Sequence, residues 1–186
     1  MNGEITGKPE LLERWREWQG AIDCGHTQAV WAAANLRRLS GDFARTLAQA
    51  GLREGECVAL VLANTVAFPI AFMAVLELGC NPVLVFAGTQ QKELTRILSQ
   101  FAIKWAIHDF LPGVSRISTK SYPPKAFLTL ANMGLSVLST ASSIAEGPFV
   151  FPGRGVALHA TSGTYGAPQL CARNQTVAVA EGVNYT

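Results

Sequence analysis

The sequence predicts an α/β domain in which a parallel, doubly wound sheet carries flanking helices. Short apolar runs alternate with helical patterns along the chain. These runs are apolar at every position, which is typical of strands that are buried on both faces. A strand, helix, strand order then favours parallel pairing through right-handed crossovers.

The first helical pattern extends from Thr27 to Ala50. Gly51 follows it, at the position where a left-handed C-terminal cap is expected. The apolar residues of this segment recur at spacings of three and four, which places them on one helix face. They are Leu36, Leu39, Phe43 and Leu47.

The first strand is predicted at Cys57–Leu62, because both alternating sets of its residues are apolar. Asn64 or Thr65 is expected to cap the next helix. Pro69 is tolerated only in a first helical turn, so this helix should begin near it. The helix is expected to end at Gly79.

A second apolar strand is predicted at Pro82–Phe86, and Thr89 is expected to cap a third helix that runs through Gln100. The third strand is predicted at Lys104–Ile107. These segments complete two strand, helix, strand units, which is the order of a doubly wound sheet.

The segment from Leu111 to Pro124 is rich in Pro, Gly and Ser and is predicted to be a loop-rich excursion. Weaker strand candidates follow at Ala126–Leu128 and Leu135–Leu138. The last predicted strand, Gly155–Ala160, leads directly into the candidate site.

Composition argues against several classes of protein. The net charge is only +2, from 15 basic and 13 acidic residues that are mostly interspersed, so no nucleic-acid or membrane partner is expected. The four cysteines lie far apart and lack metal-ligand spacing, so no metal site is expected. The first residues do not resemble a secretory signal, and we expect a cytoplasmic location.

Two stretches, Cys57–Leu76 and Ala126–Ala145, each lack charge over the length of a bilayer span. Asn64, Thr65 and Pro69 interrupt the first stretch, and Asn132 with several hydroxyl residues interrupts the second. A membrane-associated protein is therefore a disfavoured alternative.

Hydroxyl and glycine residues cluster directly after the strand that ends at Ala160. Glycines let backbone N–H groups converge on an anion, and hydroxyl groups can donate further hydrogen bonds to phosphate oxygens. The alternative is a plain Ser/Gly turn between two strands. The Gly-Lys-Ser/Thr ending of a Walker loop is absent. The candidate phosphate-binding residues are Thr161, Ser162, Gly163, Thr164 and Gly166.

The run Thr161–Gln169, TSGTYGAPQ, resembles the signature loop Thr-Ser-Gly-Ser/Thr-Thr-Gly-x-Pro-Lys of the AMP-forming superfamily. This superfamily contains acyl-CoA synthetases, luciferases and the adenylation domains of nonribosomal peptide synthesis. The segments Gly51–Leu60 and Phe72–Gly79 are similar to the family's first strand and helix. Gly79–Val85, Gln91–Leu94 and Pro168–Arg173 look closest to the aryl-acid ligases that activate 2,3-dihydroxybenzoate or salicylate.

The resemblance implies that residues 27–186 form an incomplete first subdomain of an adenylate-forming enzyme, with residues 1–26 as an N-terminal extension. It implies a ligase that uses ATP and Mg²⁺ to convert a carboxylic acid into an acyl-adenylate. The acyl group would then pass to the thiol of coenzyme A or of a carrier protein. By position in the motif, Thr161, Ser162, Gly163, Thr164 and Gly166 would hold the β and γ phosphates, and Pro168 would shape the exit. No residue is assigned a catalytic or metal-binding role.

The chain departs from the family pattern at several positions near the loop. Gln169 replaces the lysine, Tyr165 replaces a small hydroxyl residue, and Asn174-Gln175 stands where Thr-His is common. The acid pocket and the catalytic lysine of relatives have no counterpart here. We therefore expect the chain alone to be inactive, with the residues that select the acid beyond Thr186.

Two further interpretations remain open. The chain could be one subunit of a split enzyme with a complementary chain, or a catalytically dead remnant that acts as a binding module. His26, His108 and His159 are expected to be structural, with His159 the exception to watch because it precedes the loop. Trp15 and Trp18 are expected to pack an N-terminal helix.

Overall fold

The computed structural model describes residues 10–24, 29–109, 120–122, 133–137, 153–161 and 167–173. Within these ranges it contains helices α1 Glu10–Glu17, α2 Ala33–Ala50, α3 Ala67–Glu77 and α4 Gln91–Gln100. The strands are β1 Ala21–Cys24, β2 Ala29–Ala32, β3 Cys57–Val61, β4 Asn81–Leu84, β5 Trp105–Asp109, β6 Lys120–Tyr122, β7 Met133–Val137, β8 Ala157–Ala160 and β9 Leu170–Arg173.

The main sheet has the strand order β6-β7-β5-β3-β4-β8-β9. Its central strands β5, β3, β4 and β8 pair in parallel, whereas β7, β6 and β9 pair antiparallel with their neighbours. The predicted α/β class with a parallel core and flanking helices is confirmed. The antiparallel margins were not predicted. A separate two-stranded antiparallel sheet consists of β1 and β2.

Buried apolar clusters cover both faces of the main sheet. On one face, α2 and α3 pack against alternate residues of the central strands, including Val58, Leu60 and Ile107. On the opposite face, three residues of α4 and the Phe101 that follows it pack against the other alternate set of strand residues. The helix residues are Leu94, Ile97 and Leu98, and the strand residues include Ala59, Val61, Val83, Ala106 and Leu158. This two-sided burial explains why the strands are apolar at every position.

The helix predicted from Thr27 begins later than expected. Residues 29–32 form β2 and pair with β1, with Trp31 opposite Ile22, and α2 begins at Ala33. Helical periodicity was the wrong reading for these four residues because strand pairing determines their conformation. Gly51 caps α2 with a φ of 108°, as predicted.

Neither predicted side-chain cap is present. The N-cap residues of α3 and α4 are Val66 and Gln90, and neither makes a side-chain capping bond. The N–H of Phe68 instead donates to the backbone carbonyl of Thr65 at 3.0 Å. Pro69 is the third residue of α3, so its predicted place in the first turn is confirmed.

Two strand predictions need adjustment. The strand predicted to reach Phe86 ends at Leu84, and the Phe86 side chain is 80% exposed. The candidate Leu135–Leu138 corresponds to β7, whereas Ala126–Leu128 lies outside the described residues. Strand β6 lies within the segment predicted to be a loop.

The aromatic rings of Trp15 and Trp18 stack with their centroids 5.6 Å apart and pack against the α2–α3 core, as predicted. Arg37 of α2 donates to the backbone carbonyls of both residues. No helix in the described part of the chain combines the length and the apolar character that crossing a bilayer requires.

Candidate functional site

The candidate site lies at the edge where the parallel strands end. Because β3, β4 and β8 run in the same direction, the segments that follow them emerge at one edge of the sheet. Ligands of open α/β sheets commonly bind outside this edge. Thr161 follows β8 there and is exposed.

The segment between β8 and β9, predicted to be the phosphate loop, is closed at its base by Thr161 and Gln169. The N–H of Thr161 donates to the carbonyl of Gln169 at 2.9 Å, and the N–H of Gln169 donates to Thr161 Oγ1 at 3.2 Å. Thr161 Oγ1 also donates to the same carbonyl over a longer 3.4 Å contact. These bonds continue the antiparallel pairing of β8 and β9, in which Ala160 lies opposite Leu170.

Of the predicted phosphate-binding residues, the structure describes Thr161 alone. Its amide is used to close the loop, so the group it can offer to a ligand is the hydroxyl with its long bond to Gln169. The remaining predicted residues lie outside the described residues, as does Tyr165. They are Ser162, Gly163, Thr164 and Gly166.

Helix α4 contributes a residue to the loop that sequence reasoning missed. Gln100, the last residue of α4, donates from Nε2 to the carbonyl of Pro168 at 2.7 Å, and Pro168 is buried. The bond therefore fixes one arm of the loop to the helix that covers the sheet. No local pattern in the sequence pointed to this contact, since the two residues are 68 positions apart.

Phe86 is a second residue of this edge that the sequence placed differently. Leu84 lies opposite His159 in the pairing of β4 with β8, so the segment after β4 emerges beside the segment that contains Thr161. The Phe86 ring covers the backbone of Gly88 so closely that a Cβ atom at residue 88 would lie 2.6 Å from the ring. An exposed aromatic ring is thereby held at the edge of the sheet.

His159 lies two residues before Thr161 and is half-buried. Burial lowers its pKa below the ordinary value of 6.5, and the positive charge of Arg173 lowers the pKa further. Both side chains line a largely apolar pocket of about 300 Å³ between α3 and the strands β8 and β9. Since the pKa lies below 6.5, the imidazole is largely neutral at pH 7. Cys171 of β9, a free and exposed cysteine, lies opposite His159 in the pairing of β8 with β9. His108 lies in β5, and His26 is outside the described residues.

No metal-ligand set is assigned. Among the residues that the structure describes, no three or more His, Cys, Asp or Glu side chains lie together in a way that could hold an ion. The loop base instead offers hydroxyl and amide groups, which suit phosphate oxygens better than they suit a divalent cation.

A family model described as AMP-binding enzyme matches residues 16–185. A putative 4-coumarate–CoA ligase-like protein of Oryza sativa subsp. japonica is 40% identical over 81 residues, which are 41% of this chain and 13% of the rice protein.

Two solved structures share the fold. The inhibitor-bound N-terminal domain of FACL13 from Mycobacterium tuberculosis has a TM-score of 0.64 and 21% identity, covering 89% of this chain and 43% of that chain. The o-succinylbenzoate CoA synthetase of Bacillus subtilis, in complex with its acyl-adenylate intermediate, has a TM-score of 0.65 and 18% identity. That match covers 95% of this chain and 46% of the synthetase, so this chain spans less than half of either solved chain. At these identities the likeness concerns the fold alone.

Proposed function

The chain belongs to the AMP-binding enzyme family, and we propose that it forms the phosphate-binding part of an enzyme that activates a carboxylic acid with ATP. The observation that carries the proposal is the position of the loop. A cluster of hydroxyl and glycine residues follows β8 at the carboxyl edge of a parallel sheet, and its base is fixed by Thr161, Gln169 and Gln100.

The proposed reaction has two steps. A carboxylate oxygen of the acid attacks the α phosphorus of ATP, and pyrophosphate leaves to give an acyl-adenylate. A thiol, from coenzyme A or a carrier protein, then attacks the acyl carbon, and AMP leaves. Negative charge accumulates on the β and γ phosphates in the first step, so hydrogen-bond donors at those oxygens favour the departure of pyrophosphate.

The residues proposed to donate to the phosphates are Thr161, Ser162, Gly163, Thr164 and Gly166. For Thr161 the structure supports a hydroxyl contribution, because the hydroxyl proton is engaged in a long 3.4 Å contact that a phosphate oxygen can replace. Gln169 can offer a neutral amide where relatives have lysine. A hydrogen bond to a charged group is worth about 1.5–3 kcal/mol, so the exchange of lysine for Gln169 is expected to weaken phosphate binding by about ten- to a hundredfold.

ATP is proposed as the nucleotide, with Mg²⁺ as its counterion. When bound, Mg²⁺ would offset the charge of the phosphates, and no side chain of the described residues is assigned to it. The exposed Thr161 and the hydroxyl and glycine residues after it fit phosphate oxygens.

An aryl acid is the proposed substrate class. The support is the similarity of Gly79–Val85, Gln91–Leu94 and Pro168–Arg173 to aryl-acid ligases, together with two rice relatives whose names contain 4-coumarate–CoA ligase-like. The thiol acceptor is proposed to be coenzyme A or a carrier-protein thiol.

Phosphate binding is tested on the 186-residue chain by titration with pyrophosphate and with ATP, each with and without Mg²⁺, in a calorimeter. We expect saturable pyrophosphate binding that Thr161→Val and Thr164→Val each weaken by about tenfold, which corresponds to one lost hydrogen bond. Thr65→Val is the matched control, because Thr65 is also exposed and follows β3 at the same edge. Its affinity should stay within about twofold of the original. Absence of binding, or equal loss in the control, would contradict the proposal.

Acid activation is tested by ATP–pyrophosphate exchange with a panel of aryl and alkyl acids. We expect no exchange from this chain alone, because it covers less than half of either solved structure that it resembles. Exchange by this chain would overturn that expectation and would report the preferred acid directly. Exchange with alkyl acids alone would contradict the aryl assignment.

A further inference from the structure

Asn81 begins β4 at the edge of the sheet opposite the candidate site, and its side chain is fully buried. Its Nδ2 group donates to the carbonyl of Gly55 at 3.1 Å and to the carbonyl of Gly153 at 3.2 Å. Its Oδ1 atom accepts a hydrogen bond from the N–H of Val156 at 2.9 Å. The buried carboxamide therefore uses both of its donors and its acceptor, and of its three partners Val156 is buried as well.

These bonds join three segments that are distant in sequence. Gly55 belongs to the turn before β3, whereas Gly153 and Val156 belong to the segment that leads into β8. The bonds span 26, 72 and 75 positions. A single side chain thus fixes the start of β8 to both β3 and β4.

A contact that sets the position of β8 against β4 is needed because a long stretch of chain separates β8 from β5. Residues 110–156 separate β5 from β8, and β8 pairs with β4 on the other side of β3. Turn geometry sets the register of strands joined by short loops, and it cannot do so here. The described ladder between β4 and β8 contains two residue pairs, Val83 with Leu158 and Leu84 with His159.

The Asn81 carboxamide lies where the pairing of β4 with β8 would continue toward the start of the two strands. Counting back from the pair Val83 and Leu158 places Asn81 opposite Val156, and Asn81 Oδ1 accepts from that residue's N–H in the way a strand carbonyl would. A slip of one residue would move His159 to the opposite face of the sheet and would shift Thr161 along the strand.

We propose that Asn81 is a positioning residue for the phosphate loop, because its buried carboxamide sets the register of the strand from which the loop emerges. The expected effect of Asn81 on pyrophosphate binding rests on the proposed function. Its structural part, the register of β8, stands independently of any ligand. Asn81 lies at the opposite end of the strands from the ligand and acts through β8.

The test compares Asn81→Ala with Leu39→Ala in the 186-residue chain. Leu39 is a buried residue of α2, and its truncation is the control for a general loss of stability. Two quantities are measured, the dissociation constant for pyrophosphate and the hydrogen-exchange rates of the amides of Val156, Thr161 and Leu60.

For Asn81→Ala we expect pyrophosphate to bind at least about tenfold more weakly. We also expect the amides of Val156 and Thr161 to exchange at least about tenfold faster relative to Leu60 of β3. For Leu39→Ala the affinity should stay within about threefold of the original. The exchange ratio should stay unchanged or fall, because a general loss of stability speeds the exchange of the core amide of Leu60 at least as much as that of Val156 and Thr161. Equal effects of the two substitutions, or an unchanged exchange ratio in Asn81→Ala, would overturn the proposal.

Asn81→Asp keeps the proposal testable if Asn81→Ala does not fold. The protonated carboxyl group can accept from Val156 and donate to one of the two carbonyls, whereas the carboxylate cannot donate. Asn81→Asp is therefore compared with the original protein at each pH from about 8 to about 5. As the pH falls, the Thr161 exchange ratio and the pyrophosphate affinity of Asn81→Asp should approach those of the original protein. No recovery would contradict the assignment. The nearby titratable groups are common to both proteins and are Cys57, Cys80, Glu54, Glu56 and Arg154.

The two parts of the proposal fail separately. If the original chain does not bind pyrophosphate, the proposed function is wrong, and the exchange ratios still decide whether Asn81 sets the register of β8. If pyrophosphate binds but Asn81→Ala behaves like Leu39→Ala, the proposed function stands and the positioning role is wrong.

Discussion

The two edges of the central parallel strands are built in opposite ways. At the amino edge, where β3, β4 and β8 begin, the Asn81 carboxamide is buried and fully hydrogen-bonded. At the carboxyl edge, Thr161 is exposed, and its hydroxyl makes contacts of 3.2 and 3.4 Å within the loop base. The Phe86 ring is 80% exposed at the same edge.

The two edges meet different requirements, one for stability and one for ligand binding. The amino edge fixes the strands to one another, because buried polar groups are costly unless every partner is in place. The carboxyl edge leaves polar and aromatic groups open to solvent, where a ligand can meet them. Substitutions at the first edge should therefore act mainly on stability and reach binding only through the register of β8, whereas substitutions of the open groups at the second edge should act on binding directly.

The largest expected difference between the edges is in thiol reactivity. Cys57 and Cys80 lie at the amino edge, where burial raises their pKa to about 12 and about 11. Cys171 is exposed on β9 and lies opposite His159. Because the thiolate is the reactive form, iodoacetamide at pH 8 should modify Cys171 at least about a hundredfold faster than either buried thiol. Peptide mass mapping over time measures the three rates.

The control is the same reaction in concentrated urea, where burial no longer protects the thiols and the three rates should converge. Rapid modification of Cys57 or Cys80 in the folded protein would mean that the amino edge opens readily, which would remove the contrast between the edges.

The next effect is on the free energy of unfolding. Asn81→Ala leaves the buried Val156 N–H without its partner, and it also removes the donor to the carbonyls of Gly55, which is half-buried, and Gly153, which is exposed. One buried unpaired group costs about 1–3 kcal/mol and water can replace part of the other two bonds, so a loss of about 2–4 kcal/mol is expected. Phe86→Ala removes a side chain that is 80% exposed, and its effect should stay within about 0.5 kcal/mol. Urea unfolding followed by circular dichroism compares the two variants.

Glu54→Gln is the matched control at the amino edge. Glu54 pairs with Arg154 at 2.8 Å, but the two side chains are 55% and 70% exposed, so the ion pair should contribute less than about 1 kcal/mol. If Glu54→Gln costs as much as Asn81→Ala, the stability of this edge comes from charge rather than from the buried carboxamide.

The same contrast explains how far the sequence could predict the fold. The strands β3 and β4 and the cap at Gly51 were predictable because each depends on local signals, continuous apolar runs or a glycine with positive φ. The helical pattern that begins at Thr27 includes the residues of β2. The helix prediction is wrong there because the pairing of β2 with β1 overrides local preference. The apolar run predicts that β4 ends at Phe86, two residues too late, because hydrophobicity alone does not show that strand pairing stops at Leu84 or that Phe86 is exposed.

The candidate site was predictable in part for the same reason. Thr161 stood out as the first of a cluster of hydroxyl and glycine residues after an apolar strand. Gln100 and Asn81 gave no such signal, because their partners lie 68 positions away for Gln100 and up to 75 positions away for Asn81. A side chain whose role depends on distant segments requires the structure.

The smallest effect concerns His159 at the carboxyl edge. Burial, and then the charge of Arg173, lowers its pKa in the folded chain below the value of 6.5 expected when unfolded. Above about pH 7 His159 is largely neutral in both states and makes little pH-dependent contribution. As the pH falls below 6.5 the unfolded chain takes up the proton first, so stability is lost until the pH passes the lower pKa of the folded state. His159→Gln should remove this part of the acid sensitivity.

Unfolding free energies of the two proteins, measured from pH 8 to pH 5, test this prediction. The difference between them should be constant above pH 7 and should shift in favour of His159→Gln below about pH 6.5, by less than the loss expected for Asn81→Ala. Arg173→Gln should reduce the shift, because one cause of the lowered pKa is removed. A difference that does not change with pH would mean that His159 is as accessible to protons as the exposed residues of this edge.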